Sequence, residues 1–473
     1  MSPTPSNIKL LESDEPIEEQ TLPHYQPSDF YPVHVGELFN ERYQVLGKLG
    51  YGSKSTIWMC YDISDDVYVT LKVCAAHGDD RSDGESSTDS ELACYRKMGR
   101  LTTEHEGVFF LRMLEGTFIV ASPSKRQHRC FVYKPAVTDL CGMLRRLKQG
   151  GMATNKLLKK VTRAVLSALD FLQTELQTIH ADVKIDNVLF LVTDNAAFTQ
   201  VAVDLKSRLV PAKYDRKEKR YIYPSIDVGA HMKNIPWGQA ILADLGEARS
   251  IHESGMQDYC GIYPDQYRPP EIRLCMKWGS SVDVWAAGVM VWSAFERDLL
   301  FGSYQGEPEK VEARHLAQMV GILGPPPLDF LKRSTESLEY WNRDGSWRGV
   351  YGVDIQEASL EGKSTSFEGA DLTLFVDFMQ SMLRWKPEER LTVKQLLKHP
   401  FLQVDQDEGD SDGCQTSAEE NGKGRTVEEY VETDTEGGGD WSIEQHQDTR
   451  ETIEEDAEVK DGHVGTDHGV NRE

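Results

Sequence analysis

The longest regular pattern in the chain runs from Asn155 to Thr178, where Leu158, Val161, Val165, Leu169, Leu172 and Leu176 recur every three or four positions. That spacing gathers them into one stripe of an α-helix of about six turns, with polar residues opposite. Further helical patterns follow around Val282 to Phe295, Ala313 to Ile322, Leu372 to Leu383 and Val393 to Leu396. The chain before it reads differently. From Tyr43 to Val73 apolar and polar residues alternate, the period of strands, and a turn at Gly50, Tyr51 and Gly52 interrupts them. The expected fold is α+β and bilobal, a small β-rich lobe followed by a larger helical one.

Composition divides this picture further. The 473 residues carry 52 Lys+Arg against 77 Asp+Glu, a net charge of −25. Most of the excess lies in 404–473, with 23 acidic and 5 basic residues and only Tyr430 and Trp441 as aromatics. Such a segment cannot bury enough apolar surface to offset its ordering entropy, so a disordered acidic tail is expected. Residues 1–30 read as a shorter flexible arm. Between them, 31–403 forms one globular unit, divided at 137/138, with an insertion at about 193–239. The longest apolar stretch, Val284 to Trp292, falls far short of the roughly 18 residues of a membrane span. The first twenty residues hold no signal-peptide core, and the eight cysteines show no CxxC pair or metal spacing. The expectation is a soluble intracellular monomer, cytoplasmic and nuclear, binding neither membrane nor nucleic acid directly and drawn, by its acidity, to basic partners.

Candidate chemistry sits in both lobes. Gly50 and Gly52 lie between two strand-like runs, where a backbone without side chains can approach phosphates closely, although an ordinary glycine hairpin has the same look. Twenty residues on, alternation puts Tyr68, Thr70 and Lys72 on one strand face, and Glu91 follows on a short helix started by Thr88 or Asp89. After the long helix, His180, Asp182, Lys184 and Asn187 fit H-x-D-x-x-x-x-N. In that pattern the Asp receives a hydroxyl proton, the Lys neutralises a transferring phosphoryl group and the Asn holds a metal ion. Asp244 and Gly246, after an apolar run, offer a further Mg²⁺ ligand. Each piece has a bland reading as a capped turn; their order along one chain, with Glu271 and Asp283 behind them, does not.

From about Phe39 to Leu402 the sequence resembles a eukaryotic protein Ser/Thr kinase, most closely the SR-protein kinases. The resemblance rests on Leu38 to Tyr43 (LFNERY), on Ser55 at the third glycine position, on Leu245 where most kinases have Phe, on Gln266 to Glu271 (QYRPPE), and on His315 to Ala317 with Gly324 to Pro327 downstream. It implies the bilobal protein-kinase fold, with ATP and Mg²⁺ as cofactors. Leu49, Gly50, Tyr51 and Gly52 would cover the nucleotide, and Lys72, paired with Glu91, would bind its α/β-phosphates. Ile57, Leu189 and Thr70, the last replacing a usual Ala, would wall the base. Tyr133 would be the gatekeeper, and the Lys134 carbonyl and Ala136 N–H would bond adenine. Asp182 would be the catalytic base, Lys184 would steady the γ-phosphate, and Asn187 and Asp244 would hold Mg²⁺. Glu271 would pair with Arg390, and Asp283 would anchor the catalytic loop. Substrates would be proteins, Arg/Ser-rich or basic.

Three departures bear on function. Ala181 replaces the Arg that in many kinases clasps an activation-loop phosphate, so activity without that phosphate is expected. Arg314 and Gly321 stand where the resemblance implies acidic docking residues, with Glu307, Glu309 and Glu312 as substitutes. The 193–239 insertion carries a basic cluster, Lys213, Arg216, Lys217, Lys219 and Arg220, read as a solvated loop. The rival class is a pseudokinase scaffold that binds ATP without transfer. A small-molecule kinase is disfavoured by QYRPPE.

Overall fold

The computed structural model describes residues 8–12, 15–76, 87–147, 155–192, 195–232, 238–252 and 263–403. The expected acidic tail, and residues 253–262 of the segment after Asp244, lie outside them. A short strand β1 (Ile8–Leu10) precedes the six-stranded sheet of the N-terminal lobe. Its strands are β2 (Leu38–Phe39), β3 (Tyr43–Gly52), β4 (Ser55–Asp62), β5 (Val67–Cys74), β6 (Leu114–Ala121) and β7 (Gln127–Tyr133). They run antiparallel in the order β2-β3-β4-β5-β7-β6. Helix α1 (Ser87–Met98) connects towards β6 and packs Leu92, Tyr95 and Met98 against Phe131 and Tyr133 of β7.

The chain enters the second lobe through β8 (Ala136–Asp139), α2 (Leu140–Leu147) and α3 (Asn155–Thr174), then passes β9 (Thr178–Ile179) and β10 (Val188–Leu191). Helix α3 buries Leu158, Val161, Val165, Leu169 and Leu172, the stripe expected from their spacing. It stops a turn early because Gln177 takes a left-handed conformation, and Thr178 and Ile179 become strand. An insertion follows, with α4 (Ala197–Ser207), the hairpin β11 (Val210–Asp215) and β12 (Arg220–Ile222), and α5 (Val228–His231). Beyond it come β13 (Ala240–Leu242), β14 (Arg249–Ser250), α6 (Pro270–Arg273), α7 (Ser281–Glu296) and α8 (Pro308–Leu323). The last long helix is Gly369–Met382. Helix α7 is buried continuously from Val282 to Phe295, which is why its sequence is apolar on every side.

Two expectations are corrected here. The basic cluster is not a solvated loop. It lies on the β11–β12 hairpin, and two of its members are buried. Lys213 Nζ donates to the Glu15 carbonyl at 2.7 Å and to Gln20 Oε1 at 3.1 Å. Arg220 donates to the carbonyls of Pro27 at 2.7 Å and Phe30 at 3.1 Å. The segment expected to be a flexible arm is what these cations hold: β1 pairs in parallel with β11, and Glu19 is buried against Lys48 of β3. Both corrections have one cause. The outer face of the sheet is apolar at Val45, Trp58, Val69 and Val132, and the insertion supplies Ala212 and Tyr223 to cover it. A second cluster joins Leu46 and Met59 to Phe198, Val201 and Val228. Asn195 extends the contact by exchanging two hydrogen bonds with the backbone of Tyr68, at 2.8 and 3.0 Å. The insertion therefore starts from the second lobe and packs on the first.

Candidate active site

The cleft between the lobes collects most of the polar residues singled out in the sequence. On β5, Lys72 sends Nζ to Glu91 Oε2 at 2.7 Å and to Asp244 Oδ1 at 3.0 Å. Burial by itself lowers the affinity of Lys72 for its proton, but Asp244 and Glu91 outweigh it and hold the ammonium well above the usual lysine range. The surrounding protein likewise disfavours the charge of the half-exposed Asp244, yet Lys72, then Lys184 and His180, hold that carboxyl well below the usual carboxylate range.

The catalytic loop lies between β9 and β10. Asp283 at the start of α7 fixes it by accepting from the backbone N–H of His180 at 2.8 Å and of Ala181 at 2.9 Å. Ala181 has φ 61° and is fully buried. Asp182 Oδ2 accepts from Lys184 Nζ at 2.5 Å and from Asn187 Nδ2 at 2.8 Å. Both contacts fall on one oxygen, so Oδ1 is the atom left to meet a substrate hydroxyl. Burial raises the Asp182 pKa and Lys184 opposes it, leaving the carboxyl above its ordinary value. Behind the site Glu271 and Arg390 form a buried two-pronged pair, 2.6 Å at each contact. Its role is structural: breaking such a pair costs about 3–5 kcal/mol.

The remaining residues frame the opening. Gly50 and Gly52 end β3, and a Cβ built on either meets nothing within 4 Å, so space lies beside the backbone there. Thr70 faces the same way as Lys72, is 1% exposed, and its hydroxyl has no hydrogen-bond partner among the described residues. Lys134 and Pro135 join β7 to β8, which places Lys134 and Ala136 at the link between the lobes. Leu189 lies on β10, opposite Asp139 of β8 and Ile241 of β13. An open cradle at two glycines, an orphaned hydroxyl on the roof and a lysine beside a carboxylate fit a nucleoside triphosphate. Among the described residues no three His, Cys, Asp or Glu converge as a self-sufficient metal site. Asn187 and Asp244 are therefore donors that would share a hard cation with bound phosphates, as Mg²⁺ sites commonly do.

Sequence reasoning missed several residues. Lys54, on the turn after Gly52, forms an ion pair with Glu247, three residues past Asp244. Arg112 is buried with its guanidinium 4.3 Å from the centre of the Tyr133 ring, and Tyr133 donates to Glu91 Oε1 at 2.7 Å. No local spacing signals either contact, since the partners come from different elements.

The docking residues are also redistributed. Glu307 and Glu309 are exposed, but Glu312 is engaged by Arg273 at 2.7 Å. Arg314 stacks on Tyr304 at 5.4 Å. Gly321 is glycine for a steric reason: a Cβ there would come within 2.1 Å of the Gln356 carbonyl oxygen. Of the two positions where the resemblance implies an acid, 321 has no room for a side chain and 314 carries a cation.

Residues 232–402 match the protein kinase domain family. A serine/threonine protein kinase of Aspergillus fumigatus is 33% identical over 403 residues, covering 85% of this chain and 94% of that one. The chain belongs to the protein kinase family, as a serine/threonine kinase. Its relatives include the SR-protein kinases. The serine/threonine-protein kinase SRPK of Physarum polycephalum is 25% identical over 402 residues, covering 81% of this chain and 91% of its own length. SRSF protein kinase 3 of Sus scrofa is 23% identical over 540 residues, covering 85% and 93%. The crystal structure of a kinase domain superposes with a TM-score of 0.57 at 22% identity, covering 79% of this chain and 99% of that one, and agrees in fold. Membership of the family implies use of ATP and a divalent metal.

Proposed function

We propose that this chain is an ATP- and Mg²⁺-dependent kinase that phosphorylates Ser, and Thr, in Arg/Ser-rich or basic proteins without needing an activation-loop phosphate. The observation that carries the reading is the convergence of Lys72, Asp182, Lys184, Asn187 and Asp244 on one cleft. Asp182 Oδ1 orients the substrate hydroxyl and takes its proton as the hydroxyl oxygen bonds to the γ-phosphorus. The bond from that phosphorus to the β–γ bridging oxygen breaks, and ADP leaves. Lys72 positions the α/β-phosphates and Lys184 offsets charge on the transferring group, so catalysis is positioning and electrostatics. The metal, when bound by Asn187 and Asp244, neutralises triphosphate charge. Exposed Glu307 and Glu309 support a basic substrate. Ala181 supports independence from a loop phosphate, because no cation stands there to read one.

The test is incubation of the full chain with ATP, Mg²⁺ and a randomised Ser/Thr peptide library. Phosphorylation enriched beside Arg, unchanged after phosphatase treatment of the enzyme, is expected. ATP binding without transfer would make the chain a pseudokinase scaffold. A large loss on dephosphorylation would show that the activation segment works through a phosphate after all.

A further inference from the structure

The buried surroundings of Glu91 hold more than the ion pair needs. One carboxylate oxygen, Oε2, serves Lys72; the other, Oε1, accepts from the Tyr133 hydroxyl at 2.7 Å. Glu91 is 2% and Tyr133 1% exposed, so neither oxygen can turn to water instead. Tyr133 is the last residue of β7, opposite Thr70 of β5, and the register of the sheet fixes where its ring stands. The Arg112 guanidinium covers one side of that ring at 4.3 Å. The backbone of Arg112 is tied at both ends. Its carbonyl accepts from the Tyr95 hydroxyl at 3.0 Å, Tyr95 lying one helical turn beyond Glu91, and its N–H donates to the Leu242 carbonyl at 2.9 Å, two residues before Asp244. Helix α1 is therefore fastened at Glu91 by Tyr133 of the sheet and at Tyr95 by Arg112, which is itself tied to the strand that leads to Asp244.

This arrangement bears on control. In protein kinases the Lys–Glu pair must be in place for transfer, and loop phosphorylation commonly acts by placing the helix that carries the Glu. Here the cation that would read such a phosphate is replaced by Ala181.

We infer that Tyr133 is a positioning residue: its hydroxyl, with the ring held under Arg112, locks Glu91 towards Lys72 and so keeps helix α1 in the transfer-competent position without a loop phosphate. The inference rests on the kinase reading above. A hydrogen bond to a buried carboxylate is among the stronger ones, and removing its donor leaves an unsatisfied oxygen on the carboxylate that Lys72 pairs with in the upper lobe.

The test is Tyr133→Phe in the full chain, which keeps the ring and the Arg112 stack and deletes only the hydroxyl. The expected result is a kcat roughly 10-fold lower and a higher KM for ATP, with KM for peptide unchanged, because Lys72 addresses the nucleotide and not the peptide. Hydrogen exchange should quicken in the amides of α1 and stay as it is in α7. In a Glu91→Gln background the added Tyr133→Phe change should have little further effect, since the two side chains act as one unit. Arg112→Met, which frees the ring but spares the hydroxyl, should give a smaller change of the same kind. A Tyr133→Phe enzyme within twofold of wild type and with unaltered α1 exchange would overturn the clamp. Absence of transfer by the wild-type chain would instead overturn the kinase reading, and the exchange measurement would still decide the clamp.

Discussion

Two lysines on the same sheet, Lys48 of β3 and Lys72 of β5, are each neutralised by a carboxylate from another element, and they do opposite work. Lys48 has a side chain with 0% exposure, against Glu19 at 4% and Glu18 at 15%. Lys72 is 13% exposed, pairs with a fully buried Glu91, and also reaches Asp244, whose side chain is 45% exposed. A charge sealed on every side can only be satisfied or unsatisfied, so Lys48 fastens the N-terminal segment to the sheet. A charge held at the mouth of a cleft keeps its field directed at whatever enters, which is what phosphate binding requires. Here the sealed pair serves attachment, while the pair with one partner open to the cleft is placed to meet a ligand.

The comparison breaks most sharply in the cleft. Asp182→Asn keeps the side-chain shape and removes the proton acceptor, so turnover should fall by roughly two to four orders of magnitude, with the thermal midpoint little changed. Near-normal steady-state phosphotransfer by this variant would remove the assigned mechanism. On the outer face the effect should be inverted. Lys48→Met strands Glu19 and should cost about 3–5 kcal/mol of unfolding free energy by urea titration, while kcat/KM of the folded fraction stays near wild type. Adding Glu19→Leu should recover part of that stability; if the double variant is less stable than Lys48→Met alone, the pair is not what holds the segment.

A third buried ionisable group sharpens the contrast because it has no hydrogen-bond partner among the described residues. Both ring nitrogens of His315, on α8, are unsatisfied. Burial first, then the nearby Arg273 and Arg268, push its pKa from 6.5 down to about 3. Between those values the unfolded chain binds a proton that the folded chain refuses, so stability falls as pH drops below 6.5 and the loss is complete near pH 3. The expected loss by pH 5 is about 2 kcal/mol. His315→Leu should flatten the pH 7 to pH 5 difference in urea stability by that amount; an unchanged slope would place the titration elsewhere.

How much of this was legible in the chain follows from distance along it. Asp182, Lys184 and Asn187 lie within six residues, so their meeting follows from one loop, and the helices of the second lobe follow from a period of three to four. Lys72 was legible as a cleft residue through strand alternation. The Tyr133 hydroxyl on Glu91 was not, although Tyr133 itself was placed as gatekeeper, because 42 residues separate the two. The insertion was misread for a related reason: Lys213 and Arg220 sit in a run of basic residues that looks solvated, and only the polar backbone of the N-terminal segment, brought in from some 190 residues away, makes their burial affordable.

By itself the sequence determined the class of fold and pointed to the polar groups that meet in the cleft, since these depend on periodicity and short spacings. The tertiary structure decided which charges are sealed and which face the cleft. It decided that Ile8, Tyr31, Val33 and Val35 of the N-terminal segment, with Ala212 and Tyr223 of the insertion, clothe the outer face of the sheet, and that Gly321 leaves no room for a docking acid. The physical reason is that desolvation and close packing belong to sets of residues remote in sequence. A lysine acquires its role from what surrounds it after folding, and neither Lys48 nor Lys72 carries that information in its own neighbours along the chain.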